Sequence, residues 1–147
     1  MARWSIKIDR FVGEAKGDVV VAVRKVGMRL FRRVVLASPV DTGRFRGNWT
    51  IGLNSVAPSD GYRGGASAKQ GGDSGSNGAA ATSQSLKQLP KLDKYDFGVQ
   101  TIHFSNTLPY AIPLEQGSSA QAPKGVVRMV VKDFRAEVAA ANKGGPL

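Results

Sequence analysis

The apolar positions in the first third of the chain recur at a helical period. Val12, Val19, Val23, Val26, Leu30 and Val34 fall three, four or seven residues apart, which sets them on one stripe. Arg24, Lys25, Arg29, Arg32 and Arg33 fall mostly off that stripe. The pattern predicts one long helix over residues 9–37, with Asp9 capping its start. The β-branched run Val19 to Val23 would suit a strand, but the period of the whole window favours a helix. Pro39 stops it, because the residue before a proline is pushed out of helical geometry.

Alternation then takes over. "NWTIGL" (residues 48–53) reads as a strand. "DFGVQTIHFSN" (residues 96–106) reads as a second, with Phe97, Val99, Thr101 and His103 on one face and Gly98, Gln100, Ile102 and Phe104 on the other. The two are expected to pair antiparallel. Further on, a short helical turn is expected over Tyr110 to Glu115, ended by Gly117. A last helix is expected from Gly125 to Ala141, burying Val127, Val131, Phe134 and Val138. The tail, residues 142–147, should be loose.

Between the strands the periodicity vanishes. Of the 31 residues 55–85, 20 are Gly, Ser or Ala. Such a segment buries too little apolar surface to offset its ordering entropy. It is expected to be a flexible loop, either a tolerated insertion or a segment that orders against a partner. The elements together predict a single α+β domain over residues 1–147. In it a long N-terminal helix and a C-terminal helix pack on a small, mainly antiparallel sheet with a long Gly/Ser/Ala-rich loop.

Composition narrows the function. With no Cys there is no disulfide framework and no thiolate metal site, and His103 is the only histidine. No cofactor is expected. No apolar run reaches the ~20 residues that span a bilayer, and the first residues lack a signal-peptide core. A product of the cytoplasm with no membrane partner is expected. Net charge is +10, and it is uneven: residues 1–50 hold 11 Lys/Arg against 4 Asp/Glu. A basic excess favours acidic partners, whether nucleic acid, an anionic membrane surface or an acidic protein face, and the plain alternative is a solvated basic face.

One tripeptide hints at chemistry. Asp41-Thr42-Gly43 matches the motif around the catalytic aspartate of aspartic proteases. Those enzymes need two such carboxyls sharing a proton. This chain has one copy, it follows Pro39 and not a buried strand, and Arg44 and Arg46 come just after it. Nearby cations hold a carboxylate ionised. The simpler reading is a turn, with Pro39, Asp41, Thr42 and Gly43 shaping the corner between helix and strand. Neither a nucleophile elbow nor a phosphate-binding loop is present, so no enzyme is expected.

The order of features carries a further signal. A basic amphipathic helix leads into "ASPVDTGRFRGNW", and "NTLPYAIPLEQGSSAQAPKGVVRMVV" leads into the final helix. This resembles the neck or tail-completion family of long-tailed bacteriophages, the small head–tail connector proteins. The matching positions are Pro39 to Arg46, Tyr110, Ala111, Glu115, Gly117 and Ala122 to Gly125. Phe45 stands where the family often has leucine, and the 55–85 segment has no counterpart in it. The resemblance implies a structural virion protein, assembled in the host cytoplasm. It would form a homo-oligomeric ring, usually sixfold, between portal-side connector and tail-tube proteins, with DNA passing through the channel. It also implies an α+β fold. On this reading Arg44, Arg46, Tyr110 and Glu115 face neighbouring subunits, and Gly117 closes the second segment. The alternative is a basic nucleic-acid-binding protein, with the first helix facing phosphates.

Overall fold

The computed structural model of the chain describes residues 2–59, 61–64, 74–96 and 100–143; within these, side chains are described except at 2–16, 74–75 and 141–142. The expected strand residues Phe97 to Val99, the loop residues 65–73 and the tail from residue 144 lie outside this set.

The first helix, α1 (Ala2–Ala37), runs 36 residues. It begins ahead of the expected start, so Asp9 is an interior residue and not a cap. Residues 2–8 contain neither Pro nor Gly to delay it. Burial grows along α1: Val19 is exposed, Val23, Val26 and Leu30 are half-buried, and Phe31, Val34 and Val35 are buried. The helix stops at Ser38 as expected. Its hydroxyl donates to Val34 O at 2.8 Å and accepts Trp49 Nε1–H at 2.7 Å.

After the corner, a 3-10 turn (Arg46–Asn48) feeds strand β1 (Thr50–Leu53). It pairs antiparallel with β2 (Ile102–Ser105), Thr50 opposite Ser105 and Leu53 opposite Ile102. Both strands fall inside the expected ranges and are shorter. The core joins α1, the corner and the later segments through Phe31, Val35, Phe45, Trp49, Ile51, Leu92, Val126 and Val130. Phe31 meets Phe104 edge-on with centroids 5.2 Å apart, and Phe45 meets Trp49 at 5.8 Å. Such pairs add roughly 0.5–1.5 kcal/mol beyond their buried area.

Two further expectations are overturned. The Gly/Ser/Ala-rich segment is not all loop: α2 (Ser74–Leu86) is a helix packed on the 3-10 turn. Asn77, Ala81 and Ser85, at steps of four, are buried. Gly, Ser and Asn are weak helix formers, but the small side chains allow a close approach, and here the docking outweighs the propensity. Ser85 Oγ donates to Arg46 O at 2.6 Å, and Asn77 Nδ2 to Asp41 O at 3.1 Å. A 3-10 segment (Leu89–Lys94) then returns the chain, with Leu92 against α1 beside Gly27.

The single C-terminal helix is in fact two. After the short helix α3 (Ala111–Glu115) come α4 (Val127–Lys132) and α5 (Phe134–Asn142), broken at Asp133. The break turns the apolar stripe. Val126 and Val130 are buried, whereas Val127, Val131 and Phe134 are exposed and Val138 is half-buried. Arg33 fixes the kink from α1, donating to Asp133 Oδ2 at 2.7 Å and Glu137 Oε1 at 2.6 Å. Those two carboxylates, Glu137 first, raise the Arg33 pKa. No described helix is long and apolar enough to cross a membrane.

Candidate functional site

The two segments that carry the family resemblance meet in space. The corner 39–45 and the later residues Tyr110, Leu114, Ser119 and Gln121 line one recess of about 220 Å³. Gln121 clamps the two together: its Oε1 accepts Val40 N–H at 2.9 Å, and its Nε2 donates to Val40 O at 2.8 Å. The Phe45 and Tyr110 rings sit 6.2 Å apart, centroid to centroid.

The Asp-Thr-Gly turn is built for docking. Gly43 has φ +82°, and a Cβ there would lie 2.7 Å from Asn77 O. Only glycine meets both demands, the left-handed backbone and the close approach of α2. Thr42 Oγ1 accepts Arg44 N–H at 3.3 Å, holding the turn. Pro39 is buried and Asp41 is exposed at the rim.

The four residues expected at an interface divide into two groups. Arg46 is engaged within the chain: Nε and Nη2 donate to Ser38 O at 3.1 and 2.8 Å, and Nη2 reaches Leu36 O at 3.1 Å. It therefore caps the carbonyl end of α1, where a cation also suits the helix dipole. Burial lowers its pKa. Glu115 is likewise engaged: Oε2 accepts Val126 N–H and Val127 N–H, and Oε1 accepts Arg128 N–H, each at 2.8 Å. It caps the first turn of α4 from α3. Burial alone would raise its pKa, but the three backbone donors outweigh that and the net direction is down. Gly117, at φ +93°, turns the chain where a Cβ would strike the Pro123 carbonyl.

Arg44 and Tyr110 remain facing the recess. The Arg44 Nε is buried without an acceptor. Tyr110 is 36% exposed. Burial raises its pKa and the Arg44 charge partly opposes the rise, so the phenol stays protonated in neutral solution.

Other residues of the site have no local sequence signature. Asn48 is fully buried, and its Nδ2 donates to Arg44 O at 2.6 Å and Tyr62 O at 2.8 Å, while Oδ1 accepts Tyr62 N–H at 3.1 Å. It pins the chain after β1 to the corner. Only the four-residue spacing Asn77, Ala81, Ser85 hinted at a partner for the turn.

Two surfaces stay apolar. A groove of about 370 Å³ between α1, β2 and α5 is lined by Val23, Val26, Leu30, Ile102, Phe104 and Phe134. Leu36, Met129 and Val131 are exposed at the far end of α1 and on α4. Among the basic residues of α1, Arg24 Nη2 donates to Tyr95 O at 2.8 Å, and Arg29 and Arg33 pair with Glu137. Compared with protein families, curated sequences and solved structures, the chain finds no match.

Proposed function

We propose that this chain is a non-enzymatic structural subunit of the head–tail junction of a long-tailed bacteriophage, joining tail to head as a ring around the DNA channel. The observation that carries the reading is the meeting of two motifs. "PVDTGRFR" and "YAIPLEQG", far apart in sequence, line one recess and are clamped through Gln121 and Val40. A family pattern written in two separated segments makes physical sense if both build one working surface. Exposed Leu36, Met129, Val131 and Phe134 support protein partners, because apolar surface of this kind is normally covered. The nucleic-acid reading draws less support, since Arg24, Arg29 and Arg33 spend charge within the chain.

Assembly is the test. Purified protein should form rings visible by negative stain, and Arg44→Glu should prevent them while leaving the circular dichroism spectrum intact. A phage lacking the protein should yield full heads beside unattached tails. Tight duplex binding with a steep salt slope, and no rings, would overturn the proposal in favour of a DNA-binding protein.

A further inference from the structure

The recess at the corner is lined by the Arg44 side chain, with Asp41 the one acid in its described lining. Among the described residues, no hydrogen bond or ion pair occupies the Arg44 guanidinium, and its Nε is shielded from water. Leaving a charged donor unmet is costly, more so than for a neutral one. The space beside it is about 220 Å³. That is far more than one ordered water needs, so it suits a side chain better than a single solvent molecule. Tyr110 borders the same space with a protonated hydroxyl, and the Arg44 charge acts on it. Ser119 offers a second hydroxyl at the rim. Phe45 and Leu114 supply apolar wall. Asp41 also borders the recess and already has a partner of its own.

We infer that this recess is a binding site for the carboxylate of an Asp or Glu side chain from a partner protein, held by the Arg44 guanidinium and the Tyr110 hydroxyl. A planar carboxylate matches the guanidinium fork, and the apolar wall takes the methylene stem. A phosphate suits it less. It carries more charge, and it has no stem for the Phe45–Leu114 wall. The inference deepens the proposed assembly role, naming the chemistry that one of its interfaces recognises, and rests on that reading for the existence of a partner.

The test reads Arg44 directly. In ¹⁵N-labelled protein the Arg44 Nε–H signal is assigned by its loss in Arg44→Lys. N-acetylglutamate is then titrated in, with N-acetylglutamine as the neutral control. A saturable shift confined to Arg44, absent with the glutamine compound, is expected. Tyr110→Phe, which keeps the ring against Phe45, should weaken it about three- to tenfold, the worth of one hydrogen bond. A linear drift shared by all arginines, or an equal response to the neutral control, would overturn the inference. Saturation by inorganic phosphate at lower concentration than by N-acetylglutamate would overturn it too, and would point to nucleic acid. The source of the carboxylate shows in concentrated protein without probe. If a second copy supplies it, the signal moves to its bound position as light scattering reports self-association. If another protein supplies it, the signal stays free in the assembled ring. Saturation without any ring formation would count against the assembly role and leave the recess standing. Rings with no saturable site would do the reverse.

Discussion

Glu115 offers the sharpest check on the structure. It holds three backbone N–H groups at the start of α4, each at 2.8 Å. The Val126 amide is part-buried, and the other two are exposed, so water can replace the carboxylate only there. A side-chain cap is worth about 0.5–2 kcal/mol, and a bond to a charged partner about 1.5–3 net of the exchange with water. Counting the shielded bond in full and the exposed pair at a fraction, Glu115→Ala should cost about 2–3 kcal/mol. At roughly 3–4 °C per kcal/mol for a chain this long, Tm should fall by about 6–12 °C at neutral pH. Glu115→Gln keeps one acceptor oxygen and should lose about half as much. The pH dependence has a definite sign. The folded-state pKa lies below the ordinary 4.5, so the stabilisation is whole above that value and is lost as pH falls through the depressed folded-state pKa. The Tm gap between wild type and Glu115→Gln should therefore close in acid, followed by calorimetry from pH 7 to about pH 3. A Tm for Glu115→Ala within about 1 °C of wild type, or a gap that persists in acid, would refute the cap.

Gly43→Ala should cost about 2–3 kcal/mol, combining left-handed backbone strain of about 1–2 with displacement of Asn77 O, and hydrogen exchange should show α2 loosening before the core. Arg46→Met keeps the stem but removes the cap on Ser38 O and Leu36 O; about 1–3 kcal/mol should be lost in urea unfolding, with faster exchange in the last turn of α1. Asn48→Leu strands the Tyr62 amide and two carbonyls, and should cost about 3 kcal/mol or more, with limited proteolysis appearing near Tyr62.

The legible parts of the fold were those whose signal is local. A stripe from Val19 to Val34 makes α1, and Pro39 after Ser38 stops it, because periodicity and proline sterics act within a few residues. The strands around Ile51 and Phe104 were visible for the same reason. The role of α2 was hidden because its helix depends on what it touches. A Gly/Ser/Ala composition argues against order until the corner supplies a surface that only small residues can approach. The break at Asp133 was hidden too, since Arg33, which secures it, lies 100 residues away. At the site, the turn residues were readable but the fates of the charges were not. Arg46 and Glu115 look as free in sequence as Arg44 does, and only the fold shows that two of the three are satisfied at home.

The 36 residues of α1 carry one more consequence. At 1.5 Å per residue the helix measures roughly 54 Å. A compact chain of this size has a radius of gyration near 15 Å, which corresponds to a sphere about 38 Å across. One element is therefore longer than the body that a 15.6 kDa sphere would make. The monomer should diffuse slowly for its mass and leave a sizing column ahead of round standards. An elution volume taken at face value would turn one subunit into two. Subunit counts for any assembly of this chain belong to native mass spectrometry or light scattering, which weigh the particle instead of timing it.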